Sequence, residues 1–163
     1  MTLREQTCCF TGHRRIFENE SAILERADVY LNCLLQKNVR FFWLGGALGF
    51  DTLMAEYLLS YKKYDPKIQI YLALPFEGYR NRWTASQQAR AARIDAQVDN
   101  LVFCSQVPSK QAFLRRNRYM VDQSRYCISY CSRTTSGTAY TTRYALRQDL
   151  IVWNTASFDL STL

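Results

Sequence analysis

The chain has 163 residues, of which 48% are apolar, and its formal net charge is +7. A chain of this length buries about 70% of its unfolded surface, so we expect one domain over residues 1–163, with a peripheral tail at 155–163. Its longest apolar runs fall far short of the ~20 residues that span a bilayer, and no signal-peptide pattern begins it; we expect a cytoplasmic protein without membrane contact.

Apolar periodicity predicts an alternation of strands and helices along the chain. The predicted strands are six short apolar runs, at 7–11, 40–44, 68–74, 101–104, 127–130 and 150–153. The predicted helices lie between them, at 22–36, 51–64, 85–98, 111–124 and 138–147. This order is typical of a parallel sheet covered on both faces. We therefore predict a three-layer α/β/α fold around a mostly parallel sheet of about six strands.

A first glycine turn, Gly45, Gly46 and Gly49, follows the second predicted strand and precedes a helix for which Asp51 is a plausible N-cap. Such a junction presents unpaired backbone N–H groups and the positive end of a helix dipole to an anion. The turn matches neither the dinucleotide fingerprint nor the P-loop. It predicts a phosphate site or, alternatively, only close packing of a helix on the sheet.

A second glycine turn at 136–138 follows the fifth predicted strand and carries several hydroxyl side chains. Hydroxyls and backbone N–H groups at a helix N-terminus suit phosphate or sugar oxygens, although Ser136 or Thr138 would also serve as a simple helix cap. Between the two turns lies a loop in which Tyr79 and Trp83 could stack on a base. The sequence thus contains two unequal candidates for an anion site.

Loops that follow parallel strands meet at one edge of the sheet, near the point where strand order reverses. The predicted ligand-binding residues come from these loops and from the basic fourth helix: Thr11, Gly12, Arg14, Gly45, Gly46, Gly49, Asp51, Pro75, Glu77, Arg80, Trp83, Asn117, Arg118, Asp122, Ser136, Gly137, Thr138 and Thr141. Asp122 is also a weak catalytic candidate. The single histidine, His13, is more typical of a structural hydrogen bond than of catalysis.

Six cysteines lie in or beside apolar segments, which favours buried free thiols. A zinc site needs two pairs of cysteines with a short spacing such as C-x-x-C. Apart from the adjacent Cys8 and Cys9, only Cys127 and Cys131 lie near each other, so we expect no metal. Aromatic residues make up 14% of the chain, more than a core of this size needs, which raises the hypothesis of a homodimer.

Five segments together resemble the YpsA-like branch of the SLOG superfamily, the Rossmann-like group that also contains the DNA-processing protein A domain and the LOG phosphoribohydrolases. They are C-C-F-T-G-H-R at 8–14, L-G-G-A-L-G-F-D at 44–51, L-P-F-E at 74–77, R-N-R-Y-M-V-D-Q-S at 116–124 and S-G-T-A-Y-T-T-R-Y-A at 136–145. The resemblance implies a cytosolic bacterial protein with a Rossmann-like sheet and a pocket for a nucleotide or an ADP-ribose-like ligand.

The chain departs from the family at two positions, because Ser136 stands where glycine is usual and Arg15 where proline is usual. The turn at 45–51 matches the family closely, so the resemblance favours it as the anion site. Compared with the LOG hydrolases, Thr141 stands at the position of their catalytic glutamate. Threonine cannot replace a carboxylate that activates water, so the same N-glycoside hydrolysis is not expected.

Three functions remain open from the sequence. The first is binding of a nucleotide-type ligand by a sensor or regulator, and the second is an enzyme that acts on a nucleotide or its N-glycosidic bond, with Asp122 as acid or base. The third is binding of single-stranded nucleic acid, which the positive charge and the aromatic loop would suit.

Overall fold

The computed structural model describes residues 1–163, in which six strands alternate with five helices. The strands are β1 (Thr7–Gly12), β2 (Phe41–Leu44), β3 (Gln69–Leu74), β4 (Asn100–Phe103), β5 (Tyr126–Tyr130) and β6 (Ile151–Asn154). The helices are α1 (Glu20–Gln36), α2 (Phe50–Lys62), α3 (Ala85–Asp95), α4 (Lys110–Asp122) and α5 (Gly137–Arg147). Two 3₁₀ turns, Arg4–Gln6 and Leu160–Thr162, lie near the two ends of the chain.

The strands form one parallel sheet in the order β4-β3-β2-β1-β5-β6. From β1 the chain moves outward to β4, and α4 then carries it back across the sheet to β5 on the other side of β1. Strand order therefore reverses between β1 and β5. In an open parallel sheet, this reversal leaves a crevice beyond the carboxyl ends of the two strands.

Two apolar clusters cover opposite faces of the sheet. Phe10 of β1 packs in the larger cluster with residues of α1 and α2, such as Leu31 and Leu58. Its neighbour Cys9 points the other way and packs with Met120 of α4 and with residues of α5. Alternate residues of one strand thus serve two cores, as the period of a β-strand requires. The predicted three-layer, Rossmann-like α/β fold is confirmed.

One predicted helix cap is wrong. Helix α2 begins at Phe50, and its N-cap is Gly49, with φ of 76°, rather than Asp51. The Phe50 N–H donates to the carbonyl oxygen of His13 at 3.1 Å, so the neighbouring loop caps the helix. Asp51 lies within the first turn and accepts instead from the Ala47 N–H at 3.2 Å.

Four of the cysteines, Cys8, Cys9, Cys127 and Cys131, are buried in the core. Burial raises the pKa of the Cys8 thiol, and a hydrogen bond with Cys9 together with burial raises the pKa of the Cys127 thiol. No helix combines the length and the apolarity that crossing a membrane would take.

Candidate anion-binding site

A cavity of about 490 Å³ lies where the strand order reverses. Its wall comes from the loops that follow β1, β2 and β5 and from one face of α4. The predicted site residues in this wall are Thr11, Gly12, Arg14, Asp51, Asn117, Ser136, Gly137 and Thr138. Of the loops that the sequence placed at one edge, the structure brings together those after β1, β2 and β5, whereas no residue of the loop after β3 lines the cavity.

The wall of the cavity is strongly cationic. Arg14, Arg15, Lys110 and Arg133 line it, and none of their side chains donates a hydrogen bond to the protein or joins an ion pair. Asp51 is the one carboxylate among the lining residues. Because arginine presents a planar fork of donors that matches phosphate, this uncompensated charge suits a ligand with several anionic oxygens.

The N-terminus of α5 faces the same cavity. Ser136 is its N-cap, and the Ser136 Oγ accepts from the Ala139 N–H at 2.9 Å. The N–H groups of Gly137 and Thr138 find no acceptor in the protein. A Cβ added to Gly137 would meet nothing within 4 Å, so the space on that side of the turn is open. Both donors and the positive end of the helix dipole are thus available to an anion.

Other groups of the protein fill the space around the first glycine turn, Gly45, Gly46 and Gly49. Gly49 lies against the backbone carbonyls of His13 and Arg14, where any Cβ would collide with them. The Gly46 carbonyl accepts from the Tyr79 hydroxyl at 2.6 Å. Gly45, Gly46 and Gly49 do not line the cavity. In this structure the turn provides close approach between loops, and an anion-binding role for its glycines stays a prediction.

Two buried side chains of opposite charge, Arg116 and Asp51, lie in the wall of the cavity. Arg116 is 5% exposed and Asp51 is 6% exposed. A Cβ on Gly45 would lie 2.9 Å from both Arg116 Nη1 and Asp51 Oδ2, so glycine is required between them. Burial raises the pKa of Asp51 to about 6, and the positive charge of Arg116 partly opposes this. The Arg116 guanidinium donates to the Gly45 carbonyl and, from Nε, to the Asn117 Oδ1 at 2.7 Å.

His13 connects the two loops at the switch point. Its Nε2 accepts from the Ser132 N–H at 2.9 Å, and its side chain is buried. Burial lowers the pKa of His13, and Arg133 lowers it further. The neutral imidazole therefore holds the loop after β5 against the loop after β1, which is a structural role.

The remaining predicted residues lie outside this cavity: Pro75, Glu77, Arg80, Trp83, Arg118, Asp122 and Thr141. Arg80 is paired with Asp95 at 2.6 Å on the side of the sheet two strands away from the switch point. Asp122 accepts from the Tyr144 hydroxyl at 2.8 Å on the outer face of α4. Thr141 is buried and donates to the Gly137 carbonyl at 2.9 Å.

Eleven cavity residues were not among the predicted site residues, and they include four of the cavity's five cations, Arg15, Lys110, Arg116 and Arg133, as well as Phe113. The sequence does carry a signal for two of them. Phe113 and Arg116 lie four and one residues before the predicted Asn117, and because residues three and four apart share one face of a helix, Phe113 lies on the same face of α4 as Arg116 and Asn117. The Arg14 guanidinium lies 5.6 Å from the centre of the Phe113 ring, and that of Arg116 lies 5.8 Å from it.

Comparison with known proteins gives a family match over most of the chain. A model of the YspA SLOG family matches residues 9–151. A UPF0398 protein of Staphylococcus epidermidis is 26% identical over 100 residues, which cover 60% of this chain and 53% of that protein. A UPF0398 protein of Lactiplantibacillus plantarum is 31% identical over 70 residues, which cover 43% and 37%. The matches thus span about half or less of those relatives.

Two solved structures of DNA processing protein A have a similar fold. The protein from Helicobacter pylori, described in its single-stranded DNA binding mode, superposes with a TM-score of 0.64 at 22% identity over 91% of this chain and 64% of the other. The protein from Streptococcus pneumoniae gives a TM-score of 0.60 at 17% identity over 93% and 50%. At these identities the likeness concerns the fold.

Proposed function

Since this chain belongs to the YspA SLOG family, we propose that it binds a nucleotide or ADP-ribose-like ligand in the cavity between β1 and β5, and acts as a sensor or regulator. The supporting observation is the meeting of two free backbone donors at the N-terminus of α5 with four unpaired cationic side chains. Each feature alone is common on protein surfaces, whereas both line one concave space at a topological switch point.

The charge of the cavity selects among ligand classes. The lining residues carry five cationic side chains and one carboxylate. A neutral sugar or a free base would leave these cations without partners, whereas a diphosphate offers several anionic oxygens to them. A phosphorylated nucleoside therefore suits this wall better than a nucleoside does.

The enzymatic alternative gains no support from the site. Its candidate acid or base, Asp122, lies outside the cavity and is hydrogen-bonded to Tyr144. The carboxylate within the cavity, Asp51, is buried in its wall beside Arg116. Binding is therefore the better-supported proposal.

Thermal unfolding with pyrophosphate, ADP and ADP-ribose tests the proposal. At about 100 times Kd a ligand contributes roughly 2.7 kcal/mol, which raises the Tm by about 5–10 °C at this size. Arg133→Ala should weaken binding by about 10- to 100-fold, the effect of one hydrogen bond to a charged group. Arg147→Ala is the matched control, because Arg147 is an exposed arginine at the far end of α5. No Tm shift with any of the three ligands would contradict the proposal, as would equal losses in both variants.

Single-stranded nucleic acid is the second candidate. The structural neighbour from Helicobacter pylori is described as binding single-stranded DNA, and this chain carries a net charge of +7. Such binding should weaken steeply with salt, by a log–log slope of about −0.7 for each phosphate neutralised. Titration of a labelled oligonucleotide at several salt concentrations measures that slope, and absent or salt-independent binding would remove this candidate.

A further inference from the structure

One oxygen of the cavity's only carboxylate has no hydrogen-bond partner. Asp51 is buried, with only 6% of its surface exposed, and its Oδ2 accepts from the Ala47 N–H at 3.2 Å. Its Oδ1 is buried and accepts from nothing in the protein. An unpaired buried oxygen of a carboxylate costs free energy, and most such groups in folded proteins are paired. Oδ1 therefore calls for a donor from outside the protein.

The nearest cation does not supply that donor. Arg116 donates to the Gly45 carbonyl and to Asn117, and it forms no ion pair with Asp51. Arg116 lies on the other side of Gly45 from Asp51, and its positive charge nevertheless stabilises the ionised carboxylate and lowers its pKa. The arrangement keeps Asp51 as an acceptor while leaving one of its oxygens unused.

We propose that Asp51 accepts a hydrogen bond from a sugar hydroxyl of the bound phosphate ester, and that it thereby selects a phosphorylated sugar over other polyanions. This inference rests on the proposed function, since the phosphate at Arg133 and the N-terminus of α5 brings the sugar to Asp51 in the same cavity. A hydroxyl is a neutral donor, so it avoids the repulsion that an ammonium group would meet beside Arg14 and Arg116.

The cavity offers little to a base that would stack. The Phe113 ring is approached by the guanidinium groups of Arg14 and Arg116. Phe17 also lines the cavity and is 86% exposed. Under the proposal, the donor at Asp51 comes from the sugar, and a donor on the base is a separate outcome of the test.

Asp51→Asn separates this hydrogen bond from a general effect of charge. The asparagine carbonyl can keep the bond from the Ala47 N–H, which leaves an NH₂ group at the position of Oδ1. The substitution also removes the only negative charge from a cationic cavity, so a pure charge effect would tighten the binding of every anion. Loss of an acceptor would instead weaken only those ligands that donate to it. The two explanations thus predict changes of opposite sign.

Calorimetric titration with three probes makes the test. ADP-ribose carries sugar hydroxyls, 2′,3′-dideoxy-ADP carries a base and a diphosphate without hydroxyls on its sugar, and pyrophosphate carries neither base nor sugar. In Asp51→Asn we expect ADP-ribose to bind about 10- to 100-fold more weakly, the effect of a hydrogen bond to a charged group, while the other two bind equally or more tightly. Glu25→Gln, an exposed carboxylate on α1, is the control and should change each Kd by less than about 2-fold.

Each other outcome overturns a defined part of the account. Equal or tighter binding of ADP-ribose to Asp51→Asn would reject the hydroxyl contact while leaving phosphate binding intact. A matching loss for 2′,3′-dideoxy-ADP would assign the donor to the base. Failure of all three probes to bind the wild-type protein would reject the proposed function itself, and the inference with it.

Discussion

Asp51→Asn should make the protein more stable at neutral pH and leave its stability unchanged in acid. Burial raises the pKa of Asp51 from 3.8 to about 6, against the charges of Arg116 on α4 and Arg14 on the loop after β1. The folded state therefore binds the Asp51 proton more tightly than the unfolded state does. Asp51 is protonated in both states only well below pH 3.8, whereas above pH ~6 folding must bury an ionised carboxylate.

The size of the effect follows from the two pKa values. At 1.36 kcal/mol for each pH unit between 3.8 and about 6, the buried charge costs about 3 kcal/mol once the pH exceeds 6. The stability of the wild-type protein relative to Asp51→Asn should fall as the pH rises from about 4 to 6, then stay constant. At pH 7.5 the variant should unfold at a Tm about 6–12 °C higher.

Urea denaturation of both proteins between pH 4 and 8 measures this difference. His13 also titrates in this range, but its contribution is common to both proteins and cancels when their free energies of unfolding are subtracted. A difference that does not vary with pH, or that grows toward acid pH, would show that folding does not raise the pKa of Asp51. It would show that the cost of burial is already offset within the folded protein.

Three further predictions concern the two glycine turns and the loop contact. Gly49→Ala should lower the free energy of unfolding by about 2–4 kcal/mol, because φ is +76° and the new Cβ would collide with the backbone of His13 and Arg14. Gly137→Ala should change the free energy of unfolding by less than about 1 kcal/mol, because the space at its Cβ is open. Equal effects of the two substitutions in urea denaturation would contradict the difference between the two turns. Ser136→Ala should cost about 1 kcal/mol through loss of the cap, and an unchanged Tm would argue against that bond. His13, as the only histidine, should titrate below 6.5 by NMR, and a higher value would contradict its burial beside the charge of Arg133.

The sequence predicted the fold well because the signals are local. Each strand is a short apolar run, and Phe10 and Cys9 alternate between two cores as the period of two requires. The predicted bounds of the strands differ from the observed ones by one residue at most. The largest error among the helices is at the end of α3, which stops at Asp95 instead of Val98. Helix ends depend on contacts with the following loop, which periodicity does not report.

The site was less predictable because it depends on strand order and on distant partners. The two glycine turns look alike in sequence. The carbonyl of His13 accepts from the first N–H group of α2, whereas the first N–H groups of α5, those of Gly137 and Thr138, have no acceptor in the protein. Arg80 follows a strand as Arg14 does, but β3 lies two strands from β1 and Arg80 is paired with Asp95. No pattern in one sequence distinguishes a free arginine from a paired one.

Amide NMR shows whether an anion binds at the N-terminus of α5. In a titration with pyrophosphate, the backbone N–H signals of Gly137 and Thr138 should shift in a saturable way, while that of Phe50, which donates to His13, should stay in place. Arg133→Ala should raise the concentration at half-saturation by about 10- to 100-fold. Unmoved signals from Gly137 and Thr138 at saturating pyrophosphate would contradict the account.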